Sequence, residues 1–260
     1  MENNDNSISL NKYIASTGIS SRRGADKLLE EGRVTLNGVV ARKGNRVLPG
    51  DTVEIDGQPL GNKPPTVYLA LNKPPGIICT TDPKEPHNIV DFVNYPERIF
   101  PVGRLDMMSE GLIILTNDGD IVNKILRAAN KHEKEYIVTV DKPVTRDFII
   151  KMSSGVPILD TMTRRCKVTQ LDARTFKIIL TQGLNRQIRR MCEHFDYRVT
   201  KLRRVRIMHI ELGKLPLGKY RPLTAAELEK LDKTTVRSAK THTDRKPGKE
   251  LKVKRKRRGF

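Results

Sequence analysis

The sequence predicts an α+β protein in two folded units. A small mixed unit spans residues 1–62. A domain with a mostly antiparallel, mixed sheet flanked by helices spans 63–232, and a basic, disordered tail follows over 233–260. Three observations predict this. Short runs of strand-type alternation are interspersed with helical periodicities, without the regular strand–helix order of a parallel sheet. Gly61 to Pro65 gathers Gly, Asn, Lys and two prolines into five residues, a linker composition. From Lys233 onward periodicity stops and twelve Lys and Arg face only Asp244 and Glu250, a net +10.

In the first unit Leu10 and Ile14 lie one helical turn apart, and Gly18 is a helix stop. Ser20 and Ser21 offer N-caps for a second helix that ends at Gly32. Val34 and Leu36 alternate into Asn37-Gly38, the strongest short hairpin signal in the chain. Pro49-Gly50-Asp51 makes another turn, and Val53 and Ile55 alternate up to Asp56-Gly57. The expected order is helix, helix, hairpin, strand.

Past the linker the expected strands are 67–71, 77–80, 112–115, 136–140, 176–181 and 205–212. Helices are expected near 120–129, 145–153, 185–195 and 225–232, the last opened by the capping box Thr224-Ala-Ala-Glu227.

The formal charge of +19 points to a polyanionic partner. Residues 1–62 are neutral, so the middle of the chain keeps +9 without the tail. No apolar run reaches membrane-spanning length, and the polar segment Met1–Ser7 reads as neither signal nor transit peptide. The odd set Cys79, Cys166 and Cys192 fits a reducing cytoplasm and gives no disulfide framework and no paired metal motif. No metal is expected, since the histidines show no ligand spacing, and no nucleotide cofactor, since no Gly-rich phosphate loop is present.

Four groups of residues are candidates for chemistry. Arg22, Arg23, Lys27 and Arg33 gather positive charge around one helix of a neutral unit, an arrangement suited to RNA phosphates. Asp106 lies between Gly103 and Gly111, where the backbone can approach a ligand closely, with Arg104 beside it. By itself such an Asp reads as a turn residue. On a helix over 185–195, Ile188, Met191, Cys192 and Phe195 form one apolar face at about 100° per residue. Arg189 lies at the edge of that face and can reach inward, whereas Arg186 and Arg190 point away, toward phosphates. Met107 and Met108 read as pocket or packing residues.

Several of these strings resemble known families. Leu10 to Gly18, Ser21-Arg-Arg-Gly-Ala-Asp26, Gly32-Arg-Val, Leu36-Asn-Gly38 and Gly50-Asp-Thr-Val53 resemble the S4 RNA-binding domain over about fifty residues. Val102 to Asn117, with Gly-Arg-Leu-Asp at its head, resembles the catalytic motif of the RNA pseudouridine synthases of the small-subunit type. Leu71-Asn-Lys-Pro-Pro-Gly76, Glu133-Lys-Glu-Tyr136 and Gly183 to Met191 are similar to three further motifs of that family. The resemblance implies that Asp106 is the essential nucleophile or base, that Tyr136 packs against the target base, and that Arg189 pairs with Asp106. On this reading a buried Asp106 resists ionisation unless a fixed cation offsets desolvation. Lys73 and Arg104 join Arg22, Arg23, Lys27, Arg33, Arg186 and Arg190 as expected RNA contacts. The S4-bearing branch implies a monomer that acts without a cofactor or membrane on a uridine of 23S ribosomal RNA, and on an anticodon uridine of a tRNA. A catalytically silent ribosome-assembly protein or RNA chaperone is the rival class, against which the intact set Asp106, Tyr136 and Arg189 argues. A hydrolase that releases uracil is distinguished by product mass.

Overall fold

The structure is a computed structural model that describes residues 6–126 and 131–236. The first unit runs β1 (Ile8–Ser9), α1 (Leu10–Ser16), α2 (Arg22–Glu30), β2 (Val34–Leu36), β3 (Val39–Val40), β4 (Arg46–Val47), β5 (Val53–Ile55) and β6 (Gln58–Pro59). The Ser21 hydroxyl caps α2, accepting from the Gly24 amide at 2.9 Å. Asn37 and Gly38 both take positive φ, 52° and 78°. That is the primed turn whose twist matches a hairpin, and it pairs Leu36 with Val39. Asp56 and Gly57 repeat the device between β5 and β6. Leu10, Ile14, Ala25, Leu29, Val34 and Val53 close a separate small core, its larger side chains contributing roughly 1.5–3 kcal/mol each.

The second unit runs β7 (Tyr68–Lys73), α3 (Ile89–Val93), β8 (Phe100–Val102), β9 (Glu110–Thr116), α4 (Gly119–Leu126), β10 (Lys134–Val140), α5 (Arg146–Ser154), β11 (Pro157–Ile158) and β12 (Thr161–Met162). It continues with β13 (Lys167–Gln170), β14 (Thr175–Leu180), α6 (Gln187–Glu193), β15 (Val199–Ile207), β16 (Ile210–Glu211), β17 (Tyr220–Pro222) and α7 (Ala225–Thr235). One sheet orders β13-β14-β10-β15-β9-β7-β17, with β16 beside β15 and β8 beside β9. Every pair in it is antiparallel except β15 with β9.

Period-2 alternation divides the strands between two cores. Leu69, Leu71, Ile113 and Leu115 face one side with α3, α5 and α6. Ala70, Leu112 and Ile114 face the other with α4 and α7. Phe148 and Phe176 meet edge to face at 5.4 Å in the first of these cores.

Several expected elements differ. Residues 77–80 are not a strand: behind Pro74-Pro75-Gly76 the chain only bridges Ile78 to Asn88. The expected strand 205–212 breaks at Met208, whose φ of 54° turns β15 back into β16. The helix expected over 185–195 is shorter, because Arg186 adopts a left-handed N-cap at φ 49°. The last helix runs to Thr235, past the expected end at 232, because Thr235 is buried against the fold. The tail over 237–260 and residues 127–130 of the expected helix 120–129 lie outside the described residues.

Candidate active site

β8 and β9 form a hairpin in register Val102↔Ile114 and Pro101↔Leu115, and residues 103–109 form its loop. Gly103 opens the loop at φ 82°. Leu105 is buried and its amide donates to the Cys79 Sγ at 3.4 Å. Asp106 to Ser109 then close a β-turn, the Ser109 amide donating to the Asp106 carbonyl at 2.9 Å. Two donors hold the Met107 carbonyl, the Gly76 amide at 2.9 Å and the Lys73 ammonium at 3.1 Å.

The Asp106 carboxylate faces the Arg189 Nε at 3.5 Å. Nε completes no hydrogen bond, so this is a charge contact, and it leaves the carboxylate free for a substrate. The remaining guanidinium nitrogens are engaged: one donates to the Val199 carbonyl at 3.2 Å, another to the Ser109 hydroxyl at 3.3 Å. Arg189 therefore joins α6, β15 and the Asp106 turn. The Asp106 side chain is 33% exposed, which corrects the expectation of a buried carboxylate. Solvent as well as Arg189 therefore reaches it.

Tyr136 lies two strands from β9, and one register line connects them. Lys73 pairs with Gly111, Gly111 with Arg204, and Arg204 with Tyr136. The tyrosine is buried on the sheet face that also packs Leu105 and Ile188. Gly111 has a steric reason to be glycine. A Cβ there would stand 2.2 Å from the Arg204 carbonyl oxygen, and its φ is 106°.

Two cations, Lys73 and Arg204, are buried on this line, and a third, Lys134, is buried two residues before Tyr136 on β10. Lys73 is fully buried, and its ammonium donates to the Pro74 carbonyl at 2.8 Å as well as to Met107. Burial pushes its pKa down, with Cys79 and Asp106 opposing that. Lys73 therefore does not present itself to RNA phosphates as expected; it braces the Asp106 turn from beneath. Arg204 donates from Nε to the Leu112 carbonyl at 2.7 Å, while one buried terminal nitrogen has no partner. Lys134, also buried, is brought down to about 8 by desolvation and by Arg204.

The expected surface cations divide. Arg22, Arg23, Arg104 and Arg186 are exposed. Arg33 is engaged by Asp56, whereas Lys27 keeps a side chain 76% exposed with Glu31 3.6 Å away, so the cationic helix offers Arg22, Arg23 and Lys27. Arg190 folds back onto Asn185, donating to its main-chain carbonyl at 3.1 Å and its side-chain oxygen at 3.2 Å. Both bonds are solvent-exposed, so Arg190 remains at the surface. Sequence reading missed Ser109 and Arg204 as parts of the site. Neither carries a local signal, since both act on partners distant in the chain. Among the described residues no group of three or more His, Cys, Asp or Glu could hold a metal ion. No helix of these residues is long and apolar enough to cross a membrane.

Comparison with known proteins gives this geometry its family. A profile of RNA pseudouridylate synthases matches residues 67–194, and one of the S4 domain matches residues 9–53. The chain is 56% identical to the dual-specificity RNA pseudouridine synthase RluF of Escherichia coli K12 over 237 residues, 90% of this chain and 82% of that one. It is 34% identical to the ribosomal large subunit pseudouridine synthase B of Bacillus subtilis, across 85% of this chain and 94% of the other. A crystal structure of a pseudouridylate synthase superposes with a TM-score of 0.64 at 30% identity, covering 86% of this chain and 99% of that one. The Gly-Arg-Leu-Asp turn thus lies in a fold and a sequence shared with these enzymes, and the chain belongs to the RNA pseudouridine synthases, in the branch with an S4 domain, as an isomerase of uridine in RNA.

Proposed function

We propose that the protein isomerises one uridine of 23S ribosomal RNA and a second in a tRNA anticodon loop, in the cytoplasm. Asp106 is the reacting carboxylate, Arg189 its charge partner and Tyr136 the ring beside the base. The dual substrate rests on likeness to the enzyme from Escherichia coli, whose name carries dual specificity. Residues 1–62 act as the RNA-holding unit and 63–232 as the catalytic domain.

The observation that carries the residue roles is the 3.5 Å contact between Asp106 and Arg189 at the tip of the β8–β9 loop. Isomerisation breaks the N1–C1′ bond, turns the base and joins C5 to C1′. The proton leaves C5 and N1 gains one, so nothing is consumed. The uridine must leave its stack before either carbon is accessible. A carboxylate fixed at a loop tip, one side against a cation and the other open, can meet such an extruded nucleotide. Arg189 keeps the negative charge oriented, Tyr136 offers an aromatic face for the base, and the exposed Arg22, Arg23, Arg104 and Arg186 offer contacts to phosphate.

The test is Asp106→Asn, which keeps size and removes charge. Ribosomal RNA incubated with each protein is mapped by carbodiimide-dependent reverse-transcription stops. The variant should fall to background yet still bind RNA, because phosphate contacts supply most of the affinity. Substantial turnover by the variant would overturn the assignment of Asp106. A transcribed tyrosine tRNA assayed alongside tests the second substrate.

A further inference from the structure

The turn that carries Asp106 has an unusual composition for its position. Met107 and Met108 are its two corner residues, and they are 43% and 67% exposed. Turn corners at a surface ordinarily take Gly, Pro, Asn, Asp or Ser, each for a backbone reason. Neither methionine has positive φ, and neither belongs to a core cluster. The packing role expected from the sequence is therefore absent, and two thioether side chains stand in solvent next to the reacting carboxylate.

Their base is rigid. The Asp106 carbonyl accepts from Ser109, the Met107 carbonyl from Lys73 and Gly76, and the Ser109 hydroxyl from Arg189. The surroundings are cationic: Arg104 and Arg186 are exposed, and Lys201 and Arg203 approach Glu110 at the foot of β9. A phosphate backbone held by such cations would present its bases to the tip. Methionine is unbranched and polarisable, and sulfur makes favourable contacts with aromatic rings.

We propose that Met107 and Met108 form an apolar wedge that enters the RNA stack beside the target and covers the base face left bare when the uridine is extruded toward Asp106. The occupant is a nucleobase flanking the target uridine. The wedge is a positioning device for extrusion, distinct from the groups that react. It rests on the reading of an extruded uridine as the substrate of Asp106. Apolar wedges that hold unstacked steps open are a general device of nucleic-acid binding, and here the wedge and the reacting carboxylate share one four-residue turn.

The test uses two hairpins built around the uridine that the wild-type protein modifies in ribosomal RNA, located first by carbodiimide-stop mapping. In one hairpin the uridine pairs with adenosine inside a helix. In the other it faces an abasic site and is already free to leave the stack. The variants are the double change Met107→Ser with Met108→Ser and, as the conservative control, Met108→Leu. On the paired hairpin the double serine variant should lose about tenfold in rate at saturating RNA, within the range for losing one stacked base contact. On the abasic hairpin it should stay within about twofold of wild type, and Met108→Leu should keep most of the rate on both. An equal loss on the two hairpins, or no loss on either, overturns the proposal. Thermal unfolding gives a second reading. Serine suits an exposed turn corner, so the melting temperature should hold or rise, and a marked fall would mean that the methionines pack in the fold, which also overturns the wedge. If the wild-type protein modifies neither hairpin, the extruded-uridine reading fails instead.

Discussion

At the scale of single residues, the cost of the site is concentrated in Lys73, Lys134 and Arg204, three cations under the sheet's reacting face. Burying an ammonium disfavours its charged form. For Lys134 the folded-state value falls from 10.5 to about 8. The destabilisation is therefore complete below about 8, where both states hold the proton, and is relieved as pH rises toward 10.5, because the unfolded chain then holds more protons than the folded one. Lys134→Met keeps length and removes charge, and should stabilise the fold near neutral pH by about 3 kcal/mol. Urea titrations of both proteins at several pH values check this: the advantage of the variant should shrink above pH 8 and vanish near 10.5. A constant advantage would mean that packing and not charge is responsible. Asp106 was legible in the sequence because its signature is contiguous, running unbroken from Val102 to Asn117. Lys73 was legible as part of a motif and misread in its role. Its motif does not say that a carbonyl 34 residues later will accept a hydrogen bond from its ammonium.

At the scale of elements, the reacting loop depends on how closely β9 and β15 approach. The Gly111 backbone lies against Arg204, and the two strands pair in parallel at Arg203↔Glu110 and Arg204↔Gly111. Gly111→Ala would add a methyl 2.2 Å from a carbonyl oxygen and impose a strained positive φ. The expected cost is about 3 kcal/mol or more. Because β9 begins at the foot of the Asp106 turn, activity should fall further than stability alone explains. Denaturant unfolding and single-turnover rates on the same sample separate the two, and a variant of wild-type stability and rate would show that the strands can part without consequence. The alternation of β10 and β14 was readable because period 2 is a local property, and β9 because it is a short continuous apolar run. The break at Met208 was not, because a left-handed methionine is set by the pairing of β15 with β16 and by no turn residue.

At the scale of the whole molecule, the two units have separate cores joined by a proline-containing linker. Between them Lys12 meets Asp120 at 2.7 Å, with the side chains 33% and 40% exposed. An ion pair so exposed contributes about 0–1 kcal/mol. Deleting residues 1–62 should therefore leave the catalytic domain folded, with turnover retained at saturating RNA and lost at low RNA concentration. Loss at saturation by a folded truncation would place the first unit inside the site. The tail adds +10 and no periodicity. Removing 237–260, which leaves α7 whole, should flatten the dependence of RNA affinity on salt and leave the modified nucleotide unchanged. Affinities across a salt series check this, and equal slopes would show that the tail touches no phosphate.

The position of β15 in the sheet also governs the timing of assembly on the ribosome. Residues 199–207 fill the gap between β10 and β9, strands made of residues 134–140 and 110–116. Until that late segment emerges, β10 presents a bare edge along its length, the condition that invites pairing between chains, whereas β9 is open only near Glu110 and Gly111 because β8 already covers Ile114 to Thr116. Arg189, one of whose two anchors is the Val199 carbonyl, is held against Asp106 by Ser109 alone before then. A chain interrupted near residue 195 would carry both charged partners with half of the arginine's anchoring missing, and with the β10 edge open it would be an aggregation hazard before it was a complete enzyme.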